Sequence, residues 1–77
     1  MVNYRDYIVS DHQIMLGKPI IKGTRLTVEL ILRKLAQGAS TADLLKMYPG
    51  LSEERIQAVL LYAAELLANE ELLTSAA

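Results

Sequence analysis

The nine residues GKPIIKGTR, positions 17 to 25, carry three cations, Lys18, Lys22 and Arg25, among two glycines and a proline. Cations on a short, turn-rich segment can hold phosphate or another anion, while the same glycines and proline are also the punctuation of a structural turn. The rest of the chain offers little for covalent or acid–base chemistry. His12, beside Asp11, is the only histidine and there is no cysteine, so neither a zinc site nor a nucleophile–base pair can be assembled within one chain. Two glycines six apart do not make a phosphate loop, which requires Gly-Lys-Ser/Thr leading directly into a helix. The nine acids stand mostly at helix starts or on solvated faces, and no general acid/base pair follows from their spacing. The residue inventory is that of a non-enzymatic binding protein with no cofactor.

The elements that must position these groups are short at first. Tyr4 to Ser10 is rich in aromatic and β-branched residues and reads as a strand, with Ile20-Ile21 as a second, shorter one. Pro19 cannot donate to a ladder and belongs at a strand start or edge, and Gly17 and Gly23 flank the pair as turn positions. From Leu26 the period changes. Leu26, Leu30, Ile31 and Leu35 share one face of a helix over about 27–37, capped by Thr27 and closed by Gly38. Ser40, with Asp43 three residues on, opens a second helix over 40–47, which stops because Pro49 disfavours helical backbone at Tyr48. Ser52-Glu53-Glu54 opens a third, over 52–69.

A short helix, the turn Tyr48-Pro49-Gly50-Leu51 and a longer capped helix form a helix-turn-helix pattern on a three-helix scaffold. In that arrangement the last helix enters a major groove N-terminus first, and Arg55 and Gln57 are the plausible base readers. Glu53 and Glu54 beside them repel phosphate. The same helix is apolar almost all round: Ile56, Val59, Leu60, Ala63, Leu66 and Leu67 form a core face, while Leu61, Ala64 and Ala68 lie on roughly the opposite side. A second apolar stripe needs a second surface, and these three residues are the expected homodimer interface.

Composition sets the frame. A single 77-residue domain buries a lower fraction of its surface than a larger one, and without cysteine the usual remedy left is oligomerisation. The N-terminus carries charges and lacks the apolar core of a secretory signal, and the uncharged stretch Ile56 to Ala64 is far short of the roughly 20 residues that span a bilayer. A soluble, cytoplasmic protein is expected. The formal charge of −1 divides unevenly: residues 1–34 hold six cations against three acids, +3, and residues 35–77 two cations against six acids, −4. That asymmetry suits two kinds of partner surface.

Taken together, GKPIIKGTRLTV, the spacer LAQGAS and LLKMYPGLSEERIQAVLLYAAELL, in that order, resemble family 433 of the domains of unknown function over roughly residues 5–69. The resemblance implies a small bacterial, homeodomain-like helical protein with an N-terminal β element, regarded as the antitoxin half of toxin–antitoxin pairs, with a PIN-type nuclease toxin as partner. Its motif falls here on Gly17, Lys18, Pro19, Gly23, Thr24 and Arg25, then Tyr48, Pro49 and Leu51. Two positions depart from it: Leu16 stands where the family often has glycine, and Thr27 where it often has proline.

The expectation is therefore a mostly α, three-helix protein with a short β element. It binds DNA through Lys18, Lys22, Arg25, Arg55 and Gln57, pairs with itself, and offers an acidic half to a toxin. Arg25 either reaches a phosphate or clamps an acidic group of the fold such as Asp43. The competing reading is a protein-docking module that never touches nucleic acid, which the acids Glu53 and Glu54 favour.

Overall fold

The computed structural model describes residues 2–75. The backbone passes through a 3-10 turn (Tyr4–Asp6), strand β1 (Ile8–Val9), a second 3-10 turn (Met15–Gly17), strand β2 (Ile20–Ile21) and helices α1 (Val28–Ala36), α2 (Thr41–Met47) and α3 (Glu53–Ser75). The observed class is the expected one, a small helical bundle with a two-stranded antiparallel sheet near its N-terminus.

Residues 4–10 are not one strand. The Asn3 side chain accepts the Arg5 N–H at 3.1 Å and bends Tyr4–Asp6 into the 3-10 turn, a local side-chain bond that competes with extended backbone. The bend delivers the Tyr4 ring edge-on to Tyr62 of α3, centroids 5.5 Å apart. β1 then pairs with β2 in the register Ile8 with Ile21 and Val9 with Ile20. Pro19 stands at the start of β2, as expected, and Ile20 also makes an isolated bridge to Thr27. Proline is tolerated there as the residue before the strand, and its carbonyl accepts the Val28 N–H at 3.0 Å.

Local signals set the helix limits. Thr27 Oγ1 accepts the Leu30 N–H at 3.0 Å and caps α1. At the other end Gly38, at φ 100°, donates to Leu35 O while Ala39 donates to Lys34 O, both at 3.0 Å, which is a Schellman closure. Ser40 and Asp43 form a reciprocal capping box on α2, at 3.0 and 2.9 Å. Ser52 Oγ accepts the Arg55 N–H at 3.2 Å at the start of α3. This helix runs past the expected end near Asn69, as a segment rich in Leu, Ala and Glu without Gly or Pro permits.

The core lies where the sheet, α1, α2 and the first two turns of α3 meet. Ile20, Ile21, Ile31, Leu44 and Val59 are its largest fully buried side chains, joined by Val28, Ile56 and Ala58. The face expected for α3 is only half right: Ile56 and Val59 are buried, whereas Leu60, Leu66 and Leu67 are 47, 49 and 61% exposed. Past Val59 the helix keeps Leu61, Tyr62 and Ala63 half-buried, with Tyr62 packed against the core, while Leu60, Leu66 and Leu67 face outward.

Candidate nucleic-acid interface

The turn that carries the cations is built from Ile21 to Thr24. Thr24 donates twice to the Ile21 carbonyl, from its N–H at 3.0 Å and from its hydroxyl at 2.8 Å. The same hydroxyl oxygen accepts the Leu26 N–H at 3.0 Å, so one threonine closes the turn and starts the approach to α1. Gly23 sits at φ 81°, the left-handed value that the third residue of a type II turn requires. Lys22 and Arg25 flank this Gly-Thr pair and are exposed. They line a depression of about 530 Å³ together with Asp11 and the β1 end at Val9 and Ser10. Arg25 does not clamp Asp43. That carboxylate accepts the Ser40 N–H instead, which holds its pKa below the ordinary aspartate value.

A second turn lies against the first. A side-chain carbon built on Gly50 would meet the Thr24 methyl at 3.7 Å, so the turn between α2 and α3 abuts the turn between β2 and α1. The Arg55 guanidinium reaches back and donates through Nη1 to the Gly50 carbonyl. Gly-Thr-Arg and Tyr-Pro-x-Leu, 25 residues apart in sequence, thus meet at one corner of the molecule, and the cations Lys22, Arg25 and Arg55 belong to it. Arg55 spends one of its five N–H donors on Gly50 and presents the others from a fixed position.

Two of the expected contacts lie elsewhere. Lys18 pairs with Glu29 of α1 at 3.3 Å, and Arg33 pairs with the other oxygen of Glu29 at 2.9 Å, one helical turn further along. Both cations lower the Glu29 pKa, the Arg33 hydrogen bond most of all. Lys18 is therefore tied to the α1 surface and not to the corner. Gln57 leaves α3 on a different side from Arg55, because two residues along a helix is a rotation of about 200°. It lines a shallow depression with Thr41, Glu53 and Leu60 on the far side of α3.

The expected dimer stripe is also redistributed. Leu61 is half-buried and lines a hollow with Val2 to Arg5, so the N-terminal segment covers that side of α3. Arg5 lies over the Tyr4 ring there, 5.7 Å from its centroid. Ala64 and Ala68 are exposed, and the larger apolar groups beside them are Leu60 and Leu67. Between α1 and the middle of α3 runs a groove of about 520 Å³, walled by Val28, Leu32, Ala36, Tyr62, Ala63 and Leu66. Among the described residues no group of three or more His, Asp or Glu could hold a metal ion, and no helix is long and apolar enough to cross a membrane.

The arrangement can be set beside known proteins. The family model described as "Protein of unknown function (DUF433)" matches residues 8–63, from β1 to the middle of α3. The chain belongs to this family. The DUF433 match takes in both turns of the basic corner and leaves out the N-terminal 3-10 turn and the second half of α3. The chain is also similar to "Uncharacterized protein y4eO" of Sinorhizobium fredii (strain NBRC 101917 / NGR234), 32% identical over 59 residues. That alignment covers 77% of this chain and 27% of the relative, so the chain corresponds to about a quarter of the relative's length. No solved structure matches.

Proposed function

We propose that this chain is a non-enzymatic, DNA-binding antitoxin-like protein that acts as a homodimer and neutralises a PIN-type nuclease toxin. The observation that carries the DNA reading is the corner at Thr24 and Gly50. Lys22 and Arg25 flank the turn closed by Thr24, Arg55 is held on the Gly50 carbonyl, and the two turns touch, so cations from both motifs sit on fixed backbone as phosphate-positioning groups do. In this reading Lys22, Arg25 and Arg55 contact the DNA backbone. The start of α3 contributes little direct base readout, because Glu53 and Glu54 stand exposed in its first turn. Affinity then comes from several such corners acting together, as a dimer or a toxin complex would supply them. The toxin assignment rests on the family resemblance and on the acidic half of the chain, whose −4 balance suits a basic nuclease surface.

The test is a gel-shift titration with the promoter of the protein's own gene at low salt, with and without the product of a neighbouring small nuclease-like gene. A shift that strengthens with the partner, and co-purification of the two, is expected. Absence of a shift in both cases, with the partner still bound, assigns the chain to the protein-docking class.

A further inference from the structure

We infer that the outer edge of β1 is an interface between two copies of this chain: Ile8 of one copy pairs antiparallel with Ile8 of the other, which joins their two-stranded sheets into a single sheet in the order β2-β1-β1-β2. This inference rests on the dimeric part of the reading above and is independent of the DNA part.

The edge follows from the alternation of hydrogen bonds along the strand. The Lys22 N–H donates to the Tyr7 carbonyl at 2.7 Å. The peptide between Tyr7 and Ile8 is trans and planar, so its N–H points opposite to that carbonyl, away from β2. With Ile8 opposite Ile21 and Val9 opposite Ile20, bonded and non-bonded pairs alternate, and Ile8–Ile21 is a non-bonded pair. The Ile8 carbonyl therefore points outward as well. The other side of β2 obeys the same alternation, where the Ile21 N–H donates to the Leu26 carbonyl at 2.9 Å. Ile8 has no such counterpart: among the described residues its outward N–H and C=O make no hydrogen bond. Its side chain belongs to the core, so the two groups stand at the core's margin, where an unmatched polar group is costly.

Outward backbone groups on an extended strand fit another extended strand, and three features fit this edge to a second copy. One donor and one acceptor on the same residue are complementary to themselves, so a two-fold axis between two Ile8 residues closes both bonds at once. The edge is also short. The 3-10 turn Tyr4–Asp6 ends it on one side and the bridge of Asp11 with Ile14 on the other, which leaves no template for a long foreign strand. In the two-fold register Tyr7 stands opposite Val9 and Asp6 opposite Ser10, so acid does not face acid. A two-stranded ribbon is marginal by itself, and doubling it supplies the added strands that such a ribbon needs.

The experiment uses the full chain, with analytical ultracentrifugation across micromolar concentrations to establish the dimer and residue-resolved hydrogen exchange to place it. The Ile8 amide should exchange roughly tenfold or more slowly in the dimer than after dilution to monomer, while the Gly23 amide, in the open turn, should not change. Mixed single-cysteine variants give a second readout in this cysteine-free chain, each checked for folding by circular dichroism. The non-bonded pair beside Ile8 sets Tyr7 of one copy and Val9 of the other about 4.5 Å apart at Cα, within reach of a disulfide. Tyr7→Cys mixed with Val9→Cys should therefore cross-link faster than Tyr7→Cys mixed with Met47→Cys, which lies at the exposed end of α2. A wild-type monomer would overturn both the dimer and its surface. A wild-type dimer whose Ile8 amide exchanges as fast as in the monomer would overturn the surface alone, as would equal disulfide rates.

Discussion

Thr27 joins the basic turn to the helix behind it, and its replacement gives a worked test of how that junction is held. Its hydroxyl oxygen caps α1 through the Leu30 N–H at 3.0 Å, and the residue is only 8% exposed. Removing such a cap costs about 1 kcal/mol, within a range of about 0.5–2, so Thr27→Ala should lower stability by that amount. Proline, which the family resemblance places at this position, should behave differently. Thr27 has φ −80°, within reach of the proline ring, and the bonds on either side run from Ile21 N–H to Leu26 O at 2.9 Å and from Val28 N–H to Pro19 O at 3.0 Å. Those two bonds bracket Thr27 and leave its own amide out of the ladder, so proline removes no backbone bond. Proline loses the same cap but restricts the unfolded chain, which returns about 0.4–1 kcal/mol. Thr27→Pro should therefore lie between wild type and Thr27→Ala. Urea denaturation resolves the order, and in a domain of this size about 1 kcal/mol corresponds to roughly 4–8 °C in melting temperature. A Thr27→Ala variant as stable as wild type, or a Thr27→Pro variant less stable than Thr27→Ala, would refute this account of the junction.

Two further perturbations follow from backbone and charge. Leu16 holds φ 57° and ψ 33° and is 91% exposed, so Leu16→Gly relieves about 1–2 kcal/mol of left-handed strain against about 0.5–1 kcal/mol of glycine entropy. It should be neutral or slightly stabilising by the same urea assay, whereas Gly23→Ala, at φ 81° with open space around it, should be destabilising through backbone strain alone. Asp43 has its pKa lowered by the Ser40 N–H, and Glu29 by Arg33 and Lys18. A carboxylate with a depressed folded pKa contributes stability above its unfolded pKa and loses it as pH falls through the folded value. Melting temperature should accordingly drop on acidification through and below about pH 4, and Ser40→Ala, which keeps the backbone N–H and removes only the hydroxyl, should move the Asp43 titration, followed by NMR, only part of the way back toward the ordinary value.

What could be read from the sequence depended on how local the cause was. The caps at Thr27, Ser40 and Ser52, the glycine closure at Gly38 and the stop before Pro49 each involve residues within five positions, and the helices begin and end where those signals stand. The turn at Lys22–Gly23 was legible for the same reason. What failed was set by distant neighbours. Tyr4–Asp6 leaves extended backbone for a contact with Tyr62, and the segment at Thr27 returns to bridge Ile20 of β2. Lys18 loses its freedom to Glu29, eleven residues away. The meeting of Thr24 with Gly50 has no sequence signal beyond the presence of both motifs, although the reach of Arg55 to Gly50 lies within the turn and could have been weighed. On α3 the apolar pattern gave stripes but could not say which one the N-terminal segment would cover.

The salt dependence of DNA binding, measured for alanine variants one at a time, tests the basic corner most directly. Each phosphate contact contributes about 0.9 to the slope of log affinity against log salt concentration, since each releases condensed counterions. Lys22→Ala, Arg25→Ala and Arg55→Ala should each reduce the slope by about 0.9, and Lys18→Ala and Gln57→Ala should leave it unchanged. An unaltered slope in the three corner variants, or a reduction by Lys18→Ala as large as theirs, would contradict the placement of DNA at the Thr24–Gly50 corner.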